Sequence, residues 1–217
     1  HMFRHENNFF GGHGIVGAQV PLGTGIAFSN KYLNNKAVTF VFFGDGAVNQ
    51  GQVYEAFNMA ALWDLPIIYI IENNQYGMGT SVERASAMTE LFRRGESFGI
   101  KGYELDGMDP LAIYYYLKDI HNNIYNRKLG PVLIEAKTYR YRGHSMSDPG
   151  KYRTRQEIQE TRENRDPIER VRTFLVENNY LKDQELKVID KNIKEEVLKA
   201  SEEAREMPLP DENILYE

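Results

Sequence analysis

Residues 37–74 read AVTFVFFGDGAVNQGQVYEAFNMAALWDLPIIYIIENN, and this stretch decides the fold. It opens on an apolar run, 37–43, that stops at Gly44-Asp45-Gly46. It closes on a second, isoleucine-rich run, 66–71, that stops at Glu72-Asn73-Asn74. Continuous apolar runs of this length suit strands buried on both faces, as in a parallel sheet. Between them Val53, Ala56, Phe57, Ala60 and Ala61 recur at helical spacing, and Pro66 follows the stop. A strand, a helix and a strand in succession make a crossover unit. Its two strands then end at the same edge of the sheet, where α/β folds bind ligands.

The pattern continues outward. A weaker strand, 102–105, ends in Asp106-Gly107, and a fourth, 131–136, runs into an arginine-rich loop. Asp109-Pro110 supplies an N-cap and a first-turn proline. Behind it Ile113, Tyr116, Leu117, Ile120 and Ile124 form one stripe. The expected fold is α/β, a parallel sheet flanked by helices. After Asp148 the character changes. Residues 151–165 are densely charged, Asp166-Pro167 opens a helix carrying Ile168, Val171, Phe174 and Leu175, and Ile189, Ile193, Val197, Ala200 and Ala204 mark a last one. Residues 1–165 are expected to hold the site, and 166–217 to be a C-terminal helical appendage without site chemistry.

Composition narrows the function classes. The chain has 217 residues, enough to bury a core without covalent staples. It lacks cysteine, which excludes a disulfide scaffold, a thiolate zinc site and a thiol nucleophile. A formal net charge of -5 does not point to nucleic acid. No apolar run approaches the ~20 residues of a membrane-spanning helix, so neither nucleic acid nor membrane is an expected partner.

Gly44-Asp45-Gly46 alone reads as a turn, since Asp-Gly favours turns. Asn73-Asn74 at the end of the next strand changes the odds. A carboxylate and an amide oxygen can converge there on a hard cation. Magnesium takes six oxygens at ~2.1 Å and often shares them with phosphate. Glycines let backbone amides approach a diphosphate closely. The pair at this spacing resembles the thiamine-diphosphate signature.

The resemblance extends well beyond the pair. Residues 44–84, GDGAVNQGQVYEAFNMAALWDLPIIYIIENNQYGMGTSVER, are similar to the alpha subunits of pyruvate dehydrogenase first components, within the thiamine-diphosphate-dependent 2-oxoacid dehydrogenase family. Residues 139–155, YRYRGHSMSDPGKYRTR, resemble that family's active-site loop, and 10–25, FGGHGIVGAQVPLGTG, its cofactor-ring segment. The resemblance implies a thiamine-diphosphate-binding fold. Asp45, the Asn74 side chain and the Tyr76 carbonyl would bind Mg2+. Gly46 and Ala47 would offer amides to the diphosphate. Gly14 and Val16 would meet the aminopyrimidine ring through their backbones. Arg140 and His144 would contact the diphosphate, with His144 also the catalytic side chain near substrate and lipoyl group.

By the same resemblance the reaction would be oxidative decarboxylation of pyruvate, with acetyl transfer to the lipoyl domain of a dihydrolipoyl acetyltransferase. A beta subunit would complete an alpha2-beta2 heterotetramer and supply the glutamate that activates the ring. The setting would be a bacterial cytoplasm, or the mitochondrial matrix in a eukaryote. Acetoin and branched-chain 2-oxoacid dehydrogenases are the alternatives within that chemistry, and a non-catalytic domain retaining the fold is the alternative outside it.

Other features have plainer readings. Gly12-His13-Gly14-Ile15-Val16-Gly17 fits G-x-G-x-x-G, but no strand precedes it, which rules out a nicotinamide site. His121 is expected on a solvated helix face, and Tyr114, Tyr115 and Tyr116 in packing. Among the loop arginines only Arg140 receives a role, and Arg142, Arg153 and Arg155 stay open. Ser145 matches a position phosphorylated in some members, whereas Lys151 replaces a second serine, so kinase control is not expected. His1-Met2-Phe3 fits the end of a family segment that precedes the glycine-rich stretch. Further chain carrying a Tyr-Arg pair is therefore expected upstream.

Overall fold

The computed structural model describes residues 3–216. His1 and Met2, which the alignment of the opening segment uses, lie outside the described residues. The chain forms two compact units, His1–Pro167 and Ile168–Glu217. In chain order the elements are α1 (Gln19–Tyr32), β1 (Thr39–Gly44), α2 (Gly51–Leu62), β2 (Ile67–Asn73), β3 (Tyr76–Gly77), β4 (Thr80–Ser81), α3 (Val82–Ala85), β5 (Lys101–Asp106), α4 (Pro110–Tyr125), β6 (Val132–Lys137), α5 (Arg155–Arg165), α6 (Pro167–Glu177) and α7 (Asp183–Glu206). The four expected strands form one sheet in the order β1-β2-β6-β5, parallel throughout. This is the parallel α/β fold the apolar runs imply. The two-residue strands β3 and β4 make a separate antiparallel hairpin.

Alternation within the strands divides the core. Val41, Phe43, Ile67, Tyr69, Ile71 and Leu133 face one way and pack with Val20 and Ala27 of α1 and Val53, Ala56 and Phe57 of α2. Ile68, Ile70, Val132 and Ile134 face the other way, under Ile120 and Ile124 of α4. Tyr69 keeps a polar tip inside this core because its hydroxyl meets Thr24 Oγ1 at 2.6 Å. Asp109 caps α4 as expected, accepting from the Ala112 N–H at 3.1 Å.

α1 is an element that periodicity did not announce. Its sequence contains Pro21, Gly23 and Gly25, which read as breakers. Pro21 sits in the first turn, where its missing N–H costs nothing. Gly23 allows a close approach, since a Cβ there would run into Val41 Cγ2. The helix runs antiparallel to β1. Gln19 Nε2 donates to Phe42 O at 3.0 Å near one end, and Asn30 Nδ2 to Thr39 Oγ1 at 3.3 Å near the other. The start of α1 is thereby brought to the carboxyl edge of the sheet.

Smaller expectations need correction. His121 is half-buried, with its ring stacked on Phe40 and Tyr125. All three tyrosines are exposed to solvent, Tyr114 and Tyr115 edge-on to each other and Tyr116 edge-on to Tyr103. The charged stretch 151–165 is mostly α5, started by Thr154, whose hydroxyl accepts from Glu157 N at 3.1 Å. The second unit is helical. Within it Arg172 pairs with Asp183 at 3.1 Å, and α7 leaves Val188, Ile189, Ile193 and Val197 exposed.

Candidate functional site

β1 and β2 are neighbours, with Gly44 in register with Glu72, so the loops after them leave the sheet side by side. Asp45 is the first residue past β1 and only 4 % exposed. Burial pushes its carboxyl above the ordinary value. Its own N–H, the Arg140 guanidinium, the Asn74 N–H and the Arg153 guanidinium pull the other way. Gly46 and Ala47 follow at the start of a short 3-10 turn, where backbone N–H groups lack partners within the turn.

After β2 the chain makes a tight turn. Asn73 Oδ1 accepts from Gln75 N at 2.8 Å, and Asn74 Oδ1 from Tyr76 N at 3.3 Å. Gln75 takes a left-handed conformation, φ 72°. Gly77 then passes beside Gly46, so the hairpin lies against the β1 loop. Asn74 and Tyr76 are both half-buried.

The glycine-rich segment approaches the same edge through α1. Gly14 and Val16 are exposed. Val16 O accepts from Gln52 Nε2 of α2 at 3.3 Å, and Gly17 turns at φ 83° beside the Gln50 and Gln52 side chains. The Val16 carbonyl is thus partnered, while Gly14 makes no hydrogen bond among the described residues.

The loop after β6 covers the turn. Arg140 Nη1 donates to Tyr76 O at 3.4 Å, and Nη2 to Met78 O at 3.3 Å and Tyr152 Oη at 2.8 Å. Its Nε is buried without a hydrogen-bond partner among the described residues. Tyr152 in turn donates to Asp148 Oδ2 at 2.7 Å. Asp148 also accepts from the N–H groups of His144 at 2.7 Å and Gly150 at 2.9 Å. Those two N–H groups and the Tyr152 hydroxyl hold the Asp148 carboxyl down to about 2. The His144 ring is exposed and has no hydrogen-bond partner among the described residues. The structure therefore brings Asp45, Asn74, Tyr76 and Arg140 together, and leaves the His144 ring at the surface.

Two contributors escaped the sequence. Arg153, one of four similar loop arginines, is 8 % exposed. Its guanidinium donates to Asn74 O at 2.9 Å and to Arg140 O, among the rings of Tyr139, Tyr76 and Tyr152 at 4.6, 4.9 and 5.4 Å. Glu135, in β6, is fully buried. Its carboxylate accepts from Asn73 Nδ2 at 2.6 Å and Phe92 N at 3.0 Å, and pairs with Lys137 Nζ at 2.6 Å. Burial opposes the Lys137 charge, but Glu135 and Glu104 outweigh it and raise the amine's pKa. A lone glutamate within PVLIEA was the available signal for Glu135.

The donor set suits a hard cation: one carboxylate, one side-chain amide and one backbone carbonyl, all oxygen. No group of three His, Cys, Asp or Glu able to hold a metal occurs among the described residues. A cation here would depend on a single carboxylate and on oxygens from its own ligand. The Arg140 guanidinium beside this set, with its unpartnered Nε, offers an anion a fixed planar donor.

The chain is 55 % identical over 216 residues to the "Pyruvate dehydrogenase E1 component subunit alpha" of Rickettsia bellii, covering all of this chain and 66 % of that protein. The protein of that name from Rhizobium meliloti is 54 % identical, with 62 % of its length covered. The Pisum sativum protein, whose name adds "mitochondrial", is 49 % identical over 217 residues, 54 % of its length. The chain thus spans at most about two thirds of these curated relatives. The profile of the Dehydrogenase E1 component family matches residues 1–213. Because that match takes in both the sheet and the helices after it, the chain as a whole belongs to the dehydrogenase E1 component family.

Proposed function

We propose that this chain is the cofactor-binding part of the alpha subunit of a pyruvate dehydrogenase, holding Mg2+ and thiamine diphosphate at the carboxyl edge of β1 and β2. One observation carries the reading. A nearly buried carboxylate, Asp45, stands beside an oxygen-lined turn and under a guanidinium with a spare donor. A cation there would offset the burial cost of the Asp45 charge, and the diphosphate would in turn meet Arg140. The family's dependence on thiamine diphosphate and the names of the relatives support the assignment.

Each residue has a definite task in this reading. Asp45, Asn74 Oδ1 and the Tyr76 carbonyl hold Mg2+. Gly46 and Ala47 present amides to the diphosphate. Gly14 and Val16 border the ring with backbone alone. Arg140 passes from the Tyr76 and Met78 carbonyls to phosphate oxygens, and His144 turns inward as the loop closes. When bound, thiamine diphosphate supplies the electron sink for decarboxylating a 2-oxo acid. The segment at the ring brings no carboxylate, so a beta subunit contributes that group, and a lipoyl domain collects the acetyl group. No helix among the described residues is long and apolar enough to cross a membrane.

Calorimetry tests the reading. Thiamine diphosphate should bind with Mg2+ and not with EDTA, and Asp45→Asn should weaken binding at least as much as the ~10–100-fold typical of outer-shell changes. Equal affinity of wild type and variant would remove Asp45 from the cation site.

A further inference from the structure

We propose that Glu135 is the positioning residue for the turn that carries Asn74 and Tyr76, a role that rests on the cation-site reading above for its use but not for its geometry. Glu135 lies 62 positions from Asn73, on the neighbouring strand β6. Its side chain is fully buried, yet both oxygens are engaged. Buried carboxylates are costly unless they are paired and hydrogen-bonded, and this one interrupts an otherwise apolar buried stretch of β6.

The hydrogen bonds run in one direction. A carboxylate only accepts, so the Asn73 amide must turn its NH2 group towards Glu135. That leaves Asn73 Oδ1 facing the other way, onto the Gln75 N–H at 2.8 Å. The bond fixes Gln75 in its left-handed conformation, an unfavourable one for a residue with a side chain. Reversing the amide would point NH2 at N–H and open the turn. Glu135 therefore selects which end of Asn73 faces the turn, and through it where Asn74 Oδ1 and the Tyr76 carbonyl stand. The far side of Glu135 is fixed by Phe92 N and by Lys137, which also reaches Glu104 at 3.5 Å. A glutamate within a core strand is in this way coupled to a loop it does not touch.

Two variants of the 217-residue chain test the proposal, read by amide hydrogen exchange in NMR. Glu135→Gln keeps the volume but removes the acceptor-only character. The expected result is about tenfold faster exchange at Gln75, the loss of one hydrogen bond held by a charge-supported partner. Exchange along β1 should stay unchanged, which a general loss of stability would not allow. The double variant Asn73→Asp with Glu135→Gln reverses the bond. The amide introduced on β6 donates, and the carboxylate introduced at the end of β2 accepts both from it and from Gln75 N. The double variant should restore Gln75 protection to within about threefold of wild type, and it keeps the test decisive if Glu135→Gln alone fails to fold. Glu104→Gln, at the outer end of the network, should leave Gln75 unchanged.

Electron paramagnetic resonance of Mn2+ with thiamine diphosphate adds a second readout. About tenfold weaker Mn2+ retention is expected in Glu135→Gln. Normal Gln75 protection in Glu135→Gln, or no recovery in the double variant, overturns the proposal. If wild type retains no Mn2+, the cation-site reading fails, and Gln75 exchange still decides the role of Glu135 in the turn.

Discussion

Arg153→Ala should release the loop from the turn it covers. The guanidinium makes two hydrogen bonds to carbonyls, of Asn74 and Arg140, and stands among three tyrosine rings at 4.6–5.4 Å. Hydrogen bonds from a charged donor contribute ~1.5–3 kcal/mol each. Cation–π contact adds ~1–2 kcal/mol at this largely desolvated site. Against these stands the burial of a charge whose Nε has no partner, ~1 kcal/mol or more. The net loss is about 3 kcal/mol, or about a hundredfold in the opening equilibrium at ~1.4 kcal/mol per decade. Chymotrypsin offers a direct assay, because Tyr139 and Tyr152 are half-buried and must leave the cage before cleavage. Where reclosing is fast, the cleavage rate follows the open population, so it should rise about a hundredfold. Arg142→Ala, at an exposed position of the same loop, serves as the control and should change nothing. Cleavage of Arg153→Ala within about threefold of wild type would refute the clamp.

Three further outcomes follow from the same geometry. Asp45→Asn should leave the cofactor-free protein as stable as wild type or more so at neutral pH. Burial raises the folded carboxyl above its unfolded value of 3.8, so its ionisation weighs against folding as pH rises from there through the higher folded value; a lower melting temperature for the variant would contradict this. Asp148 has the opposite sign. Its carboxyl falls from 3.8 to about 2, so its support of the loop is complete above about pH 4 and is lost as pH drops through 2, a window to be followed by exchange at the His144 and Gly150 amides and absent in Asp148→Asn. Gly102→Ala would drive a Cβ into Phe92 O, and should cost about 3 kcal/mol in a urea titration followed by Trp63 fluorescence.

The central strands β2 and β6 were legible because parallel strands buried on both faces must be continuously apolar, and β1 and β2 each ended in small polar residues that stood out. Asp45 and Asn74 were readable for the same reason. α1 was not, because its glycines oppose helix locally and are used to approach β1 at Val41. Local propensity cannot show a partner strand that lies further along the chain. Arg153 looked like its neighbours Arg142 and Arg155, and only the cage of tyrosines from separate segments distinguishes it. Glu135 passed unnoticed within an apolar strand, because its partners Asn73 and Phe92 are more than forty positions away.

The strand order β1-β2-β6-β5 also sets a sequence of events in time. β5 is made before β6 yet pairs with β6 alone. During synthesis β1 and β2 can join as soon as α2 has closed between them, while β5 must wait for a strand not yet made. β6 then enters between β2 and β5 and delivers Glu135 and, just behind it, Arg140 and Arg153. The turn at Asn73 thus gains its buried partner, and the loop is laid over it, only once β6 has paired with β2. Nonlocal closure of this kind is slow compared with helix formation. A chain in which β6 has failed to insert would keep Asp45 and Asn74, and the turn's own hydrogen bonds, but would lack the buried glutamate and the two arginines that close over them.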